Sequence, residues 1–131
     1  MLHIEYYTKG TRESCWWHLD QPQPDNLLNP EVLFSSLSYF KYVNIFPDYS
    51  ASGVWNYYGA YVATDELPVS IETKKLIFLM QQTMDTELFD ALCIENNSIS
   101  EKINKMTIDA ANAVCAELPD WIVEYKLMEL D

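Results

Sequence analysis

Residues 54–63 read V-W-N-Y-Y-G-A-Y-V-A, and this stretch carries the strongest fold signal in the chain. It contains one Trp and three Tyr, with no charged residue and no Pro. A run rich in β-branched and aromatic residues is typical of a buried or half-buried strand. Both of its alternating faces are apolar enough to be covered, as in a central strand. We therefore predict that residues 54–63 form the central strand of a sheet and serve as a scaffold.

The N-terminal segment predicts a hairpin. Residues 2–7 alternate apolar and polar side chains, which is the period of a strand with one buried face. Lys9 and Gly10 indicate a turn, after which residues 14–19 are expected to return as a second strand. Residues 20–29 contain two Pro and have no period, so they are predicted to form a connector.

A helix and a second hairpin are predicted between residues 29 and 63. Asn29 suits a helix N-cap, and Pro30 suits the first helical position, where its missing N–H has no cost. The helix is expected to end near Lys41, because residues 42–46 are β-branched and aromatic and a proline follows them. We expect a short strand at residues 42–46, joined to the aromatic strand in hairpin fashion by a loop at residues 47–53.

Two helices are predicted in the next segment. A run that opens near residue 70 and continues to Met84 is rich in Leu, Met, Gln and Lys, which favour helix over strand. A second, shorter helix is expected at residues 86–95, and the two Asn that follow would end it.

The C-terminal segment predicts a long helix and a closing strand. Ser98 and Glu101 form a capping box, the clearest helix start in the sequence. One apolar face continues from there for several turns, and Pro119 limits the helix. Residues 121–128 alternate apolar and polar side chains, which predicts a strand.

These elements predict an α+β fold. We expect a single globular domain over residues 1–131, with a mainly antiparallel sheet of about four to five strands packed against three to four helices. The chain is long enough to bury one core without disulfides or metal. Its content of 49% apolar and 14% aromatic residues is too high for a disordered chain.

Charge is the strongest global property of the sequence. Twenty acidic residues stand against eight basic ones, a formal net charge of −12. Nucleic acids and anionic membrane surfaces repel such a chain, so neither is expected as a partner. Five of the acids fall in residues 76–101, which contain no base.

Cysteine usage and hydropathy indicate the compartment. The three Cys show no C-x-x-C spacing, so neither a disulfide framework nor a zinc site is expected. No stretch has the length and apolarity of a membrane span, and the N-terminus lacks the pattern of a secretory signal. We expect a cytoplasmic protein.

No catalytic or cofactor motif is present. With three Gly in the chain and no Gly-rich phosphate-binding motif, nucleotide chemistry is not expected. Glycosidase-like acid and base work requires one carboxyl kept protonated in an apolar pocket, which solvated helix ends do not provide. A metal site at Asp85, Glu87 and Asp90 lacks the Gly turn and ligand series of an EF-hand. We therefore expect no enzymatic activity, no metal and no cofactor.

In length, negative charge, aromatic content, mixed fold and lack of an active-site motif, the chain resembles the small acidic immunity proteins of bacterial toxin systems. The resemblance implies a cytoplasmic inhibitor that binds and neutralises a cognate toxin domain, often a nuclease. Such an inhibitor either plugs the toxin active site or covers a neighbouring surface. A nuclease grips phosphate with a positive groove, which an acidic protein can occupy.

The base-free acidic run and the loop at residues 47–53 are the predicted contact surface for a basic partner. Aromatic side chains there would anchor the partner and acids would steer it. The predicted partner-binding residues are Asp85, Glu87, Asp90, Glu95, Asp48 and Tyr49. Two alternatives stay open: an acidic DNA mimic of phage type, and a small-ligand binding domain or enzyme that uses an aromatic sheet pocket. The oligomeric state is left open.

Overall fold

Four short strands form one mixed sheet in the computed structural model, which describes residues 10–14, 36–93 and 98–129. The strands are β1 (Gly10–Glu13), β2 (Tyr42–Ile45), β3 (Val54–Trp55) and β4 (Ile122–Tyr125), in the spatial order β1-β4-β2-β3. β4 runs parallel to both of its neighbours, and β2 and β3 are antiparallel. A mainly antiparallel sheet was expected; the sheet is mixed because β4, the last strand along the chain, inserts between β1 and β2.

Three α-helices and one short 3-10 helix accompany the described strands, which confirms the α+β class. The α-helices are α1 (Ser36–Phe40), α2 (Ile71–Cys93) and α3 (Ser98–Glu117), and the 3-10 helix spans Thr64–Glu66. The predicted strand at residues 2–7, the predicted return at residues 14–19 apart from Ser14, and the helix start at Asn29 lie outside the described residues.

The prediction of a ten-residue central strand at residues 54–63 is wrong. Only Val54–Trp55 is a strand, and it lies at the edge of the sheet. The chain reverses after Trp55, because the side-chain oxygen of Asn56 accepts hydrogen bonds from the amides of Tyr58 (3.0 Å) and Ala60 (3.1 Å). Gly59 supplies a backbone φ of +82°. Asn and Gly favour such turns, and here they outweigh the strand propensity of the aromatic residues around them.

Strand β4, which the sequence predicts as a closing strand, is one of the two interior strands of the sheet. Its residues Ile122, Val123 and Glu124 are all buried. The predicted turn at Gly10 is also wrong, because Gly10 begins β1 and pairs with Ile122. Long-range pairing with β4, which local residue preferences do not encode, decides the conformation there.

The hairpin predicted before the aromatic stretch is confirmed. β2 spans Tyr42–Ile45 and pairs with β3 across the loop at residues 47–53. Lys41 adopts a positive φ of +48°, which ends α1 where the sequence predicts its end.

Helix α2 is one continuous helix of 23 residues, so the prediction of two helices at residues 70–84 and 86–95 is wrong. The Thr86 hydroxyl donates to the carbonyl oxygen of Gln82 (2.8 Å) within the helix. A bond from a Thr hydroxyl to the carbonyl oxygen four residues earlier is common inside helices. Thr86 therefore continues α2 and does not cap a new helix. Helix α3 is confirmed and ends two residues before Pro119.

The main core lies between α2, α3 and one face of the sheet. Small residues of α3, Ala110 and Ala111, are fully buried and let the neighbouring elements approach closely. Core side chains of the sheet and of the two helices are Val43, Ile45, Val54, Val123, Ile77, Met80 and Val114.

A second, smaller cluster consists mainly of aromatic rings. Phe40 of α1 stacks on Tyr57, with 4.3 Å between ring centroids, and Tyr42 meets Tyr57 edge-on at 5.8 Å. Ile122 completes the cluster. Burial raises the pKa of the Tyr57 phenol, and the neighbouring Tyr58 raises it further. Tyr57 is thus a packed, protonated side chain and not part of an open aromatic surface.

Candidate functional site

The loop at residues 47–53 is fastened to α2 by two polar side chains. Gln81 donates to the carbonyl oxygen of Asp48 (2.6 Å) and accepts from the Asp48 amide (3.2 Å). Asp85 accepts a hydrogen bond from the Ser50 amide (3.0 Å) and another from Gln81 (3.0 Å). Helix and loop therefore form one surface, which we call the acidic loop–helix face and define as Asp48, Tyr49 and Asp85.

The acidic loop–helix face combines an exposed tyrosine with two exposed carboxylates. The Tyr49 amide donates to the Asp48 carboxylate (2.8 Å), which orders the turn. The Tyr49 side chain is 51% exposed. Asp48 and Asp85 are exposed as well. Three of the six predicted partner-binding residues are therefore brought together, although Asp85 lies more than thirty positions after Asp48 and Tyr49.

Glu87 points elsewhere. It lies two residues after Asp85 on α2, about 200° further around the helix axis. Its carboxylate lies 3.6 Å from the ammonium group of Lys102 on α3. Glu95 and the side chain of Asp90 lie outside the described residues.

Several acids in the second half of the chain are engaged by donors from distant segments, although Asp120 and Glu117 remain exposed. Asp120 forms a 2.9 Å ion pair with Lys41. Glu117, at the end of α3, accepts hydrogen bonds from the Thr73 hydroxyl and from the amide (2.7 Å) and hydroxyl (2.8 Å) of Ser70. The Thr73 and Ser70 donors hold the pKa of Glu117 below its ordinary value. Glu117 thereby joins the end of α3 to the beginning of α2.

Glu124 is the clearest case of an acid used inside the fold. It is 0% exposed. Its carboxylate accepts from Arg12 Nε (3.1 Å), from the Ser14 hydroxyl (3.2 Å) and from the Tyr42 hydroxyl. We call these four residues the Glu124 cluster. It ties β1, β4 and β2 together at matching register positions, because Arg12 and Glu124 are paired across the sheet.

Asn44 continues this row on β2, where it pairs with Glu124. It is fully buried, and within the described part of the chain neither of its amide atoms makes a hydrogen bond. The sequence alternation of residues 121–128 gives no sign that Glu124 is enclosed, because a solvent-facing acid produces the same pattern.

A cleft of about 400 Å³ opens beside the acidic loop–helix face. Its walls come from the end of β2, the following loop, α2 and the segment after β4. The lining residues are Phe46, Pro47, Asp48, Met84, Lys126, Leu127, Met128 and Glu129. Sequence reasoning missed this cleft, because its walls are distant along the chain.

The outer surface of α2 carries exposed apolar side chains. Ile71 is 68% exposed and Phe78 is 61% exposed. They lie seven residues apart, on the same side of the helix. A groove of about 490 Å³ follows this surface toward Thr64 and Asp65 of the 3-10 helix.

Within residues 10–14, 36–93 and 98–129, no group of three or more His, Cys, Asp or Glu is placed to hold a metal ion. No helix within them has the length and apolarity needed to cross a membrane.

Comparisons of the chain with models of known protein families, with curated proteins and with solved structures found no match. The interpretation of the site therefore rests on its own geometry and charge.

Proposed function

We propose that the chain is an immunity-type inhibitor that binds a basic protein through the acidic loop–helix face. The partner is a cognate toxin domain, with a nuclease as the leading candidate. The observation that carries the proposal is the fastening of the loop to α2, which brings the exposed Tyr49, Asp48 and Asp85 onto one surface.

This arrangement suits protein binding for two physical reasons. A surface whose conformation is already fixed loses little conformational entropy on association. Tyrosine is a frequent anchor in interfaces, since it combines a large apolar ring with one hydroxyl and has few rotatable bonds. The face therefore combines a pre-ordered backbone with a side chain that can fill a pocket of the partner.

The negative charges of the chain act mainly while the two proteins approach each other. A net charge of −12 attracts the positively charged surface of a partner and repels nucleic acid. Carboxylates at the rim of an interface increase the association rate, whereas buried anchors slow dissociation. Asp48 and Asp85 therefore steer the partner, and Tyr49 retains it. An inhibitor of this kind needs no catalytic residue.

The experiment first searches the genes beside this one for a basic toxin-like domain; that domain is then purified and assayed for nuclease activity with and without the chain. We expect stoichiometric inhibition. Tyr49→Ala should raise the dissociation rate constant roughly tenfold, as expected for the loss of an anchor residue. Tyr39→Ala is the matched control, because Tyr39 is 55% exposed but belongs to α1. Equal dissociation rates for the two variants would refute the assignment of the face.

A further inference from the structure

We propose that the cleft beside the acidic loop–helix face binds an arginine side chain of the partner. This inference rests on the proposed function and adds the chemistry of one anchor.

The walls of the cleft are fixed from both sides. Gln81 holds the backbone of Asp48 on α2 through two hydrogen bonds. On the opposite wall, Asn104 of α3 holds the backbone of Met128, accepting from its amide (2.8 Å) and donating to its carbonyl oxygen (3.0 Å). A cleft whose two walls are each fastened to a helix exists before any ligand arrives.

The lining matches a long side chain with an apolar stem. Met84 is buried, and Met128 and Leu127 are half-buried. Methionine is flexible and polarisable and adapts to irregular shapes, so it suits the methylene groups of an arginine. The volume of about 400 Å³ lies in the range of small-ligand sites.

The charges of the cleft favour a cation. Asp48 and Glu129 contribute two carboxylates. Among the described lining residues Lys126 supplies the one ammonium group, which lies over the ring of Phe46 at 5.5 Å from its centroid. A guanidinium presents several N–H donors in one plane and can bind carboxylates through paired hydrogen bonds. The excess of carboxylate over ammonium selects arginine over an uncharged side chain of the same length.

The test uses the full chain, labelled with ¹³C at the methionine methyl groups, and Nα-acetyl-L-arginine amide as the probe. We expect saturable shifts of the Met84 and Met128 methyl signals in the millimolar range. Met80 and Met106 are internal references, because neither lines the cleft. Nα-acetyl-citrulline amide, which has the same shape without the charge, should bind at least tenfold more weakly. Equal binding of citrulline, or equal shifts at all four methionines, would overturn the proposal.

A matched pair of variants separates this site from general attraction to an acidic protein. The double variant Asp48→Asn with Glu129→Gln should weaken arginine binding about tenfold. Glu66→Gln with Asp109→Asn removes the same number of charges outside the cleft and should leave binding unchanged. Equal weakening by both variants would show unspecific attraction and refute the site.

The probe experiment needs no toxin, so the two proposals can fail separately. If arginine binds the cleft but Tyr49→Ala behaves like Tyr39→Ala toward the partner, the proposed function fails and the cleft stands. If Tyr49→Ala accelerates dissociation but arginine leaves the methionine signals unchanged, the cleft proposal fails and the function stands.

Discussion

The acidic loop–helix face and the Glu124 cluster use the same chemical group in opposite ways. Asp48 and Asp85 expose their carboxylates beside an exposed tyrosine, whereas Glu124 is enclosed by three donor side chains. Exposed charges contribute little to stability but act at a distance on a charged partner. A buried charge has little effect on a distant partner, but removing one of the groups that bind it strongly destabilises the fold. The predictions below test this difference.

The largest effect is expected for Glu124→Ala. This change removes the carboxylate that Arg12, Ser14 and Tyr42 bind, and breaking a buried ion pair costs about 3–5 kcal/mol. Arg12 is 23% exposed in its side chain, so the lower end of that range is expected. Urea unfolding at neutral pH measures the loss, with Asp109→Asn as the exposed control. A loss below about 1 kcal/mol would show that the Glu124 cluster does not hold the sheet together.

The next largest effect is expected for Gly53→Ala, which acts where the loop meets the core. Gly53 has a φ of +90°, and an added Cβ would lie 2.8 Å from the Met80 methyl carbon. Backbone strain and overpacking together should cost about 2–4 kcal/mol.

Gly10→Ala is the matched control for that change. Gly10 also has a positive φ, of +118°, but an added Cβ there meets no atom of the described residues within 4 Å. The control should cost about 1–2 kcal/mol from backbone strain alone. Equal losses for the two variants would show that the loop does not press against Met80.

Glu117, an exposed acid held by hydrogen bonds, provides a pH-dependent test. Hydrogen bonds from Thr73 and Ser70 lower its folded pKa below 4.5. The unfolded chain therefore binds the proton more readily than the folded one, so this stabilisation is complete above pH 4.5 and is lost as the pH falls through the folded pKa. The stability difference between the natural chain and Glu117→Gln should be constant near neutrality and shrink in acid. A difference that does not change between pH 7 and pH 3 would contradict the assigned hydrogen bonds.

The smallest effect is expected for Glu87→Gln. The ion pair of Glu87 with Lys102 is exposed, and such pairs typically contribute well under 1 kcal/mol. Unfolding free energies should agree within about 0.5 kcal/mol. A larger loss would place Glu87 with the structural acids rather than with the surface ones.

Local signals in the sequence predict the elements that local interactions decide. The capping box at Ser98 gives α3, and the change from helical to β-branched residues after Lys41 gives β2. The aromatic stretch at residues 54–63 misleads, because Asn56 and Gly59 turn the chain inside a run that otherwise favours a strand. The interior position of β4 depends on parallel pairing between residues about 80 and 110 positions apart. No local pattern in the sequence indicates such pairing.

The candidate site, like the fold, was predictable from the sequence only in part. The loop and the acidic helix were both visible in the sequence, but their contact depends on Gln81, a residue that carries no signal of its own. Glu124 counts equally with Asp85 in the net charge, yet it is fully buried among donors from distant segments and does not lie on the open surface. Charge counted along the sequence therefore overstates the charge offered to a partner.

The most direct test of the proposed role is the salt dependence of the association rate constant with the toxin domain, measured by stopped flow. Asp48→Asn keeps an oxygen that can accept from the Tyr49 amide and removes one charge from the acidic loop–helix face. Asp109→Asn removes one charge from α3. We predict that Asp48→Asn slows association at low salt and reduces the salt slope, while Asp109→Asn changes both much less. Equal effects of the two variants would contradict a role for this face in partner binding.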